Sequence, residues 1–124
     1  MQRVATLILL LILSACAASG VHSPRISLQE TQACQDVRSI TSQTVESVSR
    51  DGNDLLISVL DRVPCNMHAT KPGVKITGTA VEVSWKWVLV PPNEVMKCLC
   101  GRRLLFRVEG APAEELSVTA VARN

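Results

Sequence analysis

The sequence predicts an all-β fold, a small antiparallel β-sandwich held together by disulfides. Apolar and polar residues alternate with period two in several short segments, as they do in strands that bury one face. Turns that contain glycine, proline, asparagine or aspartate separate these segments, and four cysteines remain beyond the N-terminal segment. Short, closely spaced strands with such turns between them are typical of a single sandwich domain.

Six strands are predicted along the chain. The first begins at about Arg38, because the residues from there to Val48 are rich in β-branched side chains, which favour strands. Residues 28–37 fit either a helix or a strand, since their apolar residues also have helical spacing. The predicted strands are residues 38–48, 55–60, 74–76, 81–89, 103–108 and 116–122.

Turn-forming residues define the ends of these strands. Asp51-Gly52 supplies the positive φ angles that a tight hairpin needs, and Pro91-Pro92-Asn93 ends the strand before it. Residues 66–73 are predicted to form a loop that turns at Lys71-Pro72-Gly73. The apolar residues change parity at Gly78-Thr79-Ala80, which predicts a β-bulge or a bend there.

Charge and composition exclude several classes of function. The chain has 13 basic and 11 acidic residues, and without the N-terminal segment that contains Arg3 the counts are 12 and 11. Binding of nucleic acid or of anionic lipid headgroups requires a larger excess of basic residues, so neither is expected as the main partner. The apolar fraction of 47% is too high for a disordered tail, and the charged fraction of 19% is too low for a coiled coil. The sequence contains no nucleophile elbow, zinc-protease motif or phosphate-binding glycine loop. We therefore expect a protein that is not an enzyme and needs no cofactor.

Residues 1–15 have the layout of a secretory signal peptide. Arg3 precedes an unbroken apolar stretch of ten residues, Val4 to Leu13, which is too short to span a bilayer as a helix. The stretch runs into Leu13-Ser14-Ala15-Cys16. This motif resembles the lipobox of bacterial lipoproteins, in which small residues precede a cysteine that is lipidated before cleavage.

The resemblance implies that Cys16 becomes the mature N-terminus and carries a thioether-linked lipid and an amide-linked acyl chain such as palmitate. Two or three acyl chains make a stable membrane anchor. Ala17, which follows the cysteine, implies an outer-membrane position facing the periplasm. Residues 16–27 are then the lipidated N-terminus and a flexible tether, rich in small and polar residues, and residues 28–124 are the folded domain.

The four remaining cysteines, Cys34, Cys65, Cys98 and Cys100, predict two disulfides in an exported domain of this size. A bridge between Cys98 and Cys100 would be strained, because residues two apart in an extended chain lie near the upper limit for a bridge. The sequence leaves open which of the other two cysteines pairs with which. It lacks the wide Cys…Trp…Cys spacing of immunoglobulin domains, so an immunoglobulin-like architecture is expected only in the layering of the sheets.

A different interpretation makes some of the same cysteines ligands of a metal. Cys65, His68, Cys98 and Cys100 offer three thiolates and an imidazole, which is a ligand set for zinc, although an oxidising compartment would remove the thiolates. A redox-active Cys98-x-Cys100 pair is a further alternative, at a spacing different from that of thioredoxin-like sites.

Two other groups of residues are candidates for binding. Trp85 and Trp87 lie on the same side of one predicted strand, either as part of a core stripe or with one tryptophan exposed as an anchor for a partner. Lys97, Arg102 and Arg103 cluster around the Cys-x-Cys segment, either as a solvated rim or as a surface for an acidic partner.

These features favour a non-enzymatic envelope lipoprotein, joined to the membrane by its lipid and binding a protein or another envelope component. One alternative is an inhibitor or immunity lipoprotein that acts against a cell-wall hydrolase or a toxin. The other alternative is a metal-binding or redox lipoprotein that uses the cysteines and His68.

Overall fold

The computed structural model describes residues 24–31, 33, 34, 36, 42–92 and 94–124. Seven strands in this part of the chain form two packed sheets, and these residues contain no helix. The predicted all-β, disulfide-linked sandwich is confirmed, whereas the predicted signal peptide and Cys16 lie outside the described residues. The strands are β1 (Arg25–Glu30), β2 (Thr44–Asp51), β3 (Asp54–Pro64), β4 (Met67–Thr77), β5 (Ala80–Leu89), β6 (Leu99–Glu109) and β7 (Ser117–Arg123).

The larger sheet has the strand order β1-β6-β3-β2, and the smaller sheet has the order β4-β5-β7. All neighbours in the larger sheet are antiparallel. The smaller sheet is mixed, because β4 pairs with β5 in the antiparallel direction while β7 runs parallel to β5, where the sequence had predicted antiparallel pairing. Two packed layers are the arrangement expected for an immunoglobulin-like architecture, but the strand order is not that of immunoglobulin domains.

The domain begins earlier than the sequence predicted. β1 starts at Arg25, so the last three residues of the predicted tether, 25–27, belong to the larger sheet. Ile26 and Leu28 alternate with exposed residues and pack against the core, which decides between the helix and the strand at this point. A strand forms because β6 offers an unpaired edge along this stretch.

The second strand begins later than predicted. The proposed start at Arg38 lies among residues 37–41, which are outside the described residues. Gln43 has a φ of 58°, a left-handed conformation that a regular strand cannot contain, and pairing with β3 starts at Thr44.

Two hairpins turn at glycines. Gly52 and Asn53 connect β2 to β3 as predicted, and Gly52 has a φ of 60°. Gly78 and Thr79 connect β4 to β5 in the same way, with a φ of 59° at Gly78. A positive φ confined to the first central residue is the pattern of a type II′ turn, for which glycine is the preferred residue. The parity change at 78–80 is therefore a hairpin, and the prediction of a bulge or bend there was wrong.

A bulge does occur in β4, in the segment predicted to be a loop. Residues 67–77 form one strand, and its register against β5 shifts between Thr70 and Gly73. Lys71 has a φ of 49°, and Pro72 follows it. Proline is tolerated at this position because β4 is an edge strand, where the missing N–H interrupts no pairing with a second neighbour.

The core lies between the two sheets and is built mainly from β3, β5 and β6. Trp85 is its largest member, and its ring centroid lies 5.7 Å from that of Phe106. The alternation predicted for these strands is confirmed, since every second residue is buried. The buried core residues are Leu55, Ile57, Val59, Val81, Val83, Trp85, Leu104, Phe106, Val108 and Ala111.

Different residues lie at the two ends of the sandwich. At one end Arg25 of β1 pairs with Glu109 of β6, and we call this the Arg25 end. At the other end Pro64 of β3 pairs with Leu99 of β6, next to the cysteines, and we call this the cysteine end.

Adjacent leucines of β6 provide a test of the packing. Leu104 is fully buried, whereas Leu105 points to the outer face and is 39% exposed. We expect Leu104→Ala to lower the free energy of unfolding by about 3 kcal/mol, because it leaves a cavity in the core. Leu105→Ala is the matched control and should cost about 1 kcal/mol or less. Urea denaturation followed by circular dichroism measures both, and equal losses would contradict the assignment of the two faces of β6.

Candidate functional site

Three connections between strands meet at the cysteine end. The chain from β1 to β2 passes through Cys34, the turn Cys65–Asn66 joins β3 to β4 across the two sheets, and residues 90–98 return from β5 to β6. Connections lack the ladder hydrogen bonds that fix strands, so this end depends on other interactions to hold its shape.

Two disulfides tie these connections together. Cys34 is bonded to Cys100, and Cys65 is bonded to Cys98, with Cα–Cα distances of 5.0 and 5.6 Å. The prediction that Cys34 and Cys65 each pair with one residue of the Cys-x-Cys segment is confirmed, and the pairing is now assigned. The bridged residues are 66 and 33 positions apart, which corresponds to roughly 4 kcal/mol of stabilisation for each bridge in the chain-entropy model.

The two bridges are in contact with one another. The Cys65 and Cys100 sulfurs, which belong to different bridges, are 3.2 Å apart, and the sulfurs of Cys34, Cys65 and Cys100 lie within 4.8 Å of one another. His68, a member of the metal set proposed from the sequence, has its Nδ1 atom 3.6 Å from a carboxylate oxygen of Glu30 instead.

Asn66 fixes the segment between β5 and β6. Its side chain is buried, its Nδ2 atom donates to the carbonyl of Glu94, and its Oδ1 atom accepts from the backbone N–H of Met96 at 3.2 Å. The Asn66 carbonyl also accepts from the N–H of Val90 at 3.0 Å. Sequence reasoning missed Asn66, because nothing in the sequence shows that its partners lie about 30 residues further along the chain.

The segment held in this way exposes apolar side chains. We call the described residues between β5 and β6, 90–92 and 94–98, together with Leu99 at the start of β6, the apolar loop, since Val90, Val95, Met96 and Leu99 are between 42% and 67% exposed. Lys97 stands among them and is also exposed. Four exposed apolar side chains within ten residues of a small domain mark a candidate interaction site.

Arg102 lies on β6 and faces inward. It is buried, its Nη2 atom donates to the Cys65 carbonyl at 2.6 Å, and its Nε atom is 3.7 Å from a carboxylate oxygen of Glu30. Arg102 was proposed from the sequence as a binding residue, but in this position its guanidinium stabilises the turn between β3 and β4.

Arg103 also has a partner within the chain. Its Nε and Nη2 atoms donate to the two oxygens of Glu46 at 2.7 and 3.0 Å. These hydrogen bonds are the main reason why the pKa of Glu46 lies below its usual value, and the Ser58 hydroxyl contributes to the same shift. Of the three cations proposed for an acidic partner, Lys97 is the one that is exposed within the apolar loop.

The two tryptophans have different environments. Trp85 is completely buried and offers no surface to a partner. It therefore belongs to the core, which was the first of the two alternatives for this strand. Trp87 is partly buried, stacks edge-on against Trp85 at 6.2 Å and donates its indole N–H to Asp61 at 2.8 Å.

Asp61 is a buried carboxylate that connects the two sheets. Besides the Trp87 indole of β5, it accepts the backbone N–H groups of Gln43 at 3.1 Å and Arg62 at 2.9 Å. Three donors compensate for the removal of the carboxylate from water. The sequence signal for this role was a single acidic residue within an apolar strand, which sequence reasoning did not use.

Comparison with protein-family models, with curated proteins and with solved structures finds no match to this chain. The described residues contain no helix of the length and apolarity that crossing a membrane requires.

The role of Asp61 can be measured by substitution. Asp61→Ala leaves three N–H groups without their acceptor, and we expect it to lower the free energy of unfolding by about 3 kcal/mol. Asp61→Asn keeps one acceptor oxygen and should cost clearly less. Urea denaturation of both variants checks this expectation, and an alanine variant as stable as the asparagine variant would contradict a linking role for the carboxylate.

Proposed function

We propose that this chain is an envelope lipoprotein, anchored through lipid on Cys16 at the outer membrane and acting in the periplasm as a non-enzymatic binding module. The observation that carries this proposal is the position of the apolar loop relative to the start of the domain. The chain enters the fold at the Arg25 end, and the loop lies at the opposite, cysteine end.

The lengths of β6 and of the N-terminal segment allow the apolar loop to lie far from a membrane that holds the N-terminus. β6 has eleven residues and spans roughly 35 Å at about 3.3 Å per residue. The nine residues from Cys16 to Pro24 can add at most about 30 Å when fully extended. A domain held by its N-terminus can therefore extend the apolar loop away from the membrane, toward a partner in the periplasm.

The chemistry of the loop favours a protein partner. Val95 and Met96 offer apolar contact area, and the neighbouring Lys97 can pair with a carboxylate at the rim of the partner's surface. The Cys65–Cys98 bridge and the hydrogen bonds of Asn66 hold the loop before it binds, which reduces the entropy lost on association.

The same loop favours one alternative, an inhibitor or immunity lipoprotein. An exposed loop that is held in place before binding can enter a concave surface such as the substrate cleft of a cell-wall hydrolase or a toxin. In that case the partner would lose activity on binding, whereas a structural partner would not.

A photo-crosslinking experiment in the native cells tests the proposal. A photoreactive amino acid replaces Val95 in the apolar loop or, as a control, Val121, which is exposed on β7. We expect a discrete crosslinked product from position 95 that is lost with Met96→Asp in the same chain and with Cys16→Ser, which removes the anchor. Equal products from both positions, or a product from position 95 that neither substitution changes, would contradict the proposal.

A further inference from the structure

The sulfurs of the two bridges form one compact cluster. Those of Cys34, Cys65 and Cys100 are within 4.8 Å of one another, and the Cys98 sulfur is bonded to that of Cys65. In a tetrahedral zinc site, with Zn–S bonds of about 2.3 Å, neighbouring sulfurs are about 3.8 Å apart. Four thiolates from these residues could reach such an arrangement by rotation of their side chains.

The backbone that carries the cysteines is held by hydrogen bonds as well as by the bridges. Cys100 lies within the β3–β6 ladder, opposite Val63, and the N–H of Cys65 donates to the carbonyl of Cys98 at 3.1 Å. Three residues before Cys34, the N–H of Thr31 donates to the carbonyl of Arg103 at 3.0 Å. Reduction of the bridges would therefore leave the four side chains close together.

The structure also changes the ligand set expected from the sequence. His68 lies on β4 with its Nδ1 atom near Glu30, whereas Cys34 comes from the β1–β2 connection and contributes its sulfur to the cluster. The Arg102 guanidinium, bonded to the Cys65 carbonyl, lies beside this cluster and would offset part of the negative charge of four thiolates around a divalent ion.

We propose that the reduced cysteine end binds one thiophilic metal ion, such as Zn²⁺, through Cys34, Cys65, Cys98 and Cys100. Each bridge takes up two electrons and two protons from a reductant, for example a dithiol that is itself oxidised to a disulfide. The metal ion then replaces the protons of the four thiols. A metal ion binds cysteine through the negatively charged thiolate, which a disulfide lacks. The disulfide form and the metal-bound form are therefore mutually exclusive states of one site.

This inference goes beyond binding through the apolar loop, because it gives the cysteine end two states. The metal-bound state would protect the thiols from oxidation, and the oxidised state would release the metal. Both states hold the Cys98 end of the apolar loop against the turn at Cys65.

Titration of the full-length mature protein in detergent tests the inference. The protein is reduced without oxygen by a phosphine, which is oxidised to its phosphine oxide, and is then titrated with Co²⁺ followed by Zn²⁺. We expect one ion per chain, a sulfur-to-cobalt charge-transfer band with the visible bands of tetrahedral cobalt, and loss of these bands when Zn²⁺ displaces Co²⁺. The oxidised protein should bind neither ion.

Two variants distinguish the ligand sets. Cys34→Ser should weaken binding of Zn²⁺ by the reduced protein at least about tenfold, while His68→Ala should change it less than about twofold. The opposite order of effects would overturn the four-cysteine site.

Circular dichroism covers the case in which the reduced chain unfolds. If it unfolds, we expect one equivalent of Zn²⁺ to restore the strand signal, because metal binding then drives folding. A reduced chain that neither binds an ion nor regains structure with it would overturn the inference, whereas crosslinking from Val95 in the oxidised protein would be unaffected.

Discussion

The pairing of β3 with β6 is the constraint on which the rest of the structure depends. Ten consecutive residue pairs, from Leu55 opposite Val108 to Pro64 opposite Leu99, fix the register at the centre of the larger sheet. This register turns the buried apolar residues of both strands toward the smaller sheet. The same ladder ends where Cys65 meets Cys98, so the arrangement that builds the core also builds the cysteine end.

The cysteine end achieves rigidity by different means from those of the sheets. Three connections meet there, and two bridges, the Asn66 side chain and the buried Arg102 take the place of strand pairing. Apolar side chains can then remain in water without collapsing onto the core, because the backbone that carries them is fixed. This explains how a domain with few aromatic residues can maintain an exposed apolar loop.

The features predicted correctly from the sequence are those that local patterns of residues determine. The alternation around Trp85, the hairpin at Gly52 and the two choices of cysteine pairing all follow from short-range rules. The sequence did not predict the strand through Lys71 and Pro72, because Pro-Gly favours a turn unless an edge strand accommodates it. The sequence also did not predict that β7 runs parallel to β5, because that direction depends on tertiary packing. The roles of Asp61 and Asn66 depend on partners that are distant in sequence, which no local pattern reveals.

The central claim is that two specific bridges hold the apolar loop to the turn between β3 and β4. Peptide mapping of the unreduced protein tests it most directly, provided that cleavage after Leu99 separates Cys98 from Cys100. The account predicts one linked pair of peptides with Cys34 and Cys100, and a second pair with Cys65 and Cys98. The exchanged pairing, Cys34 with Cys98 and Cys65 with Cys100, would contradict the account.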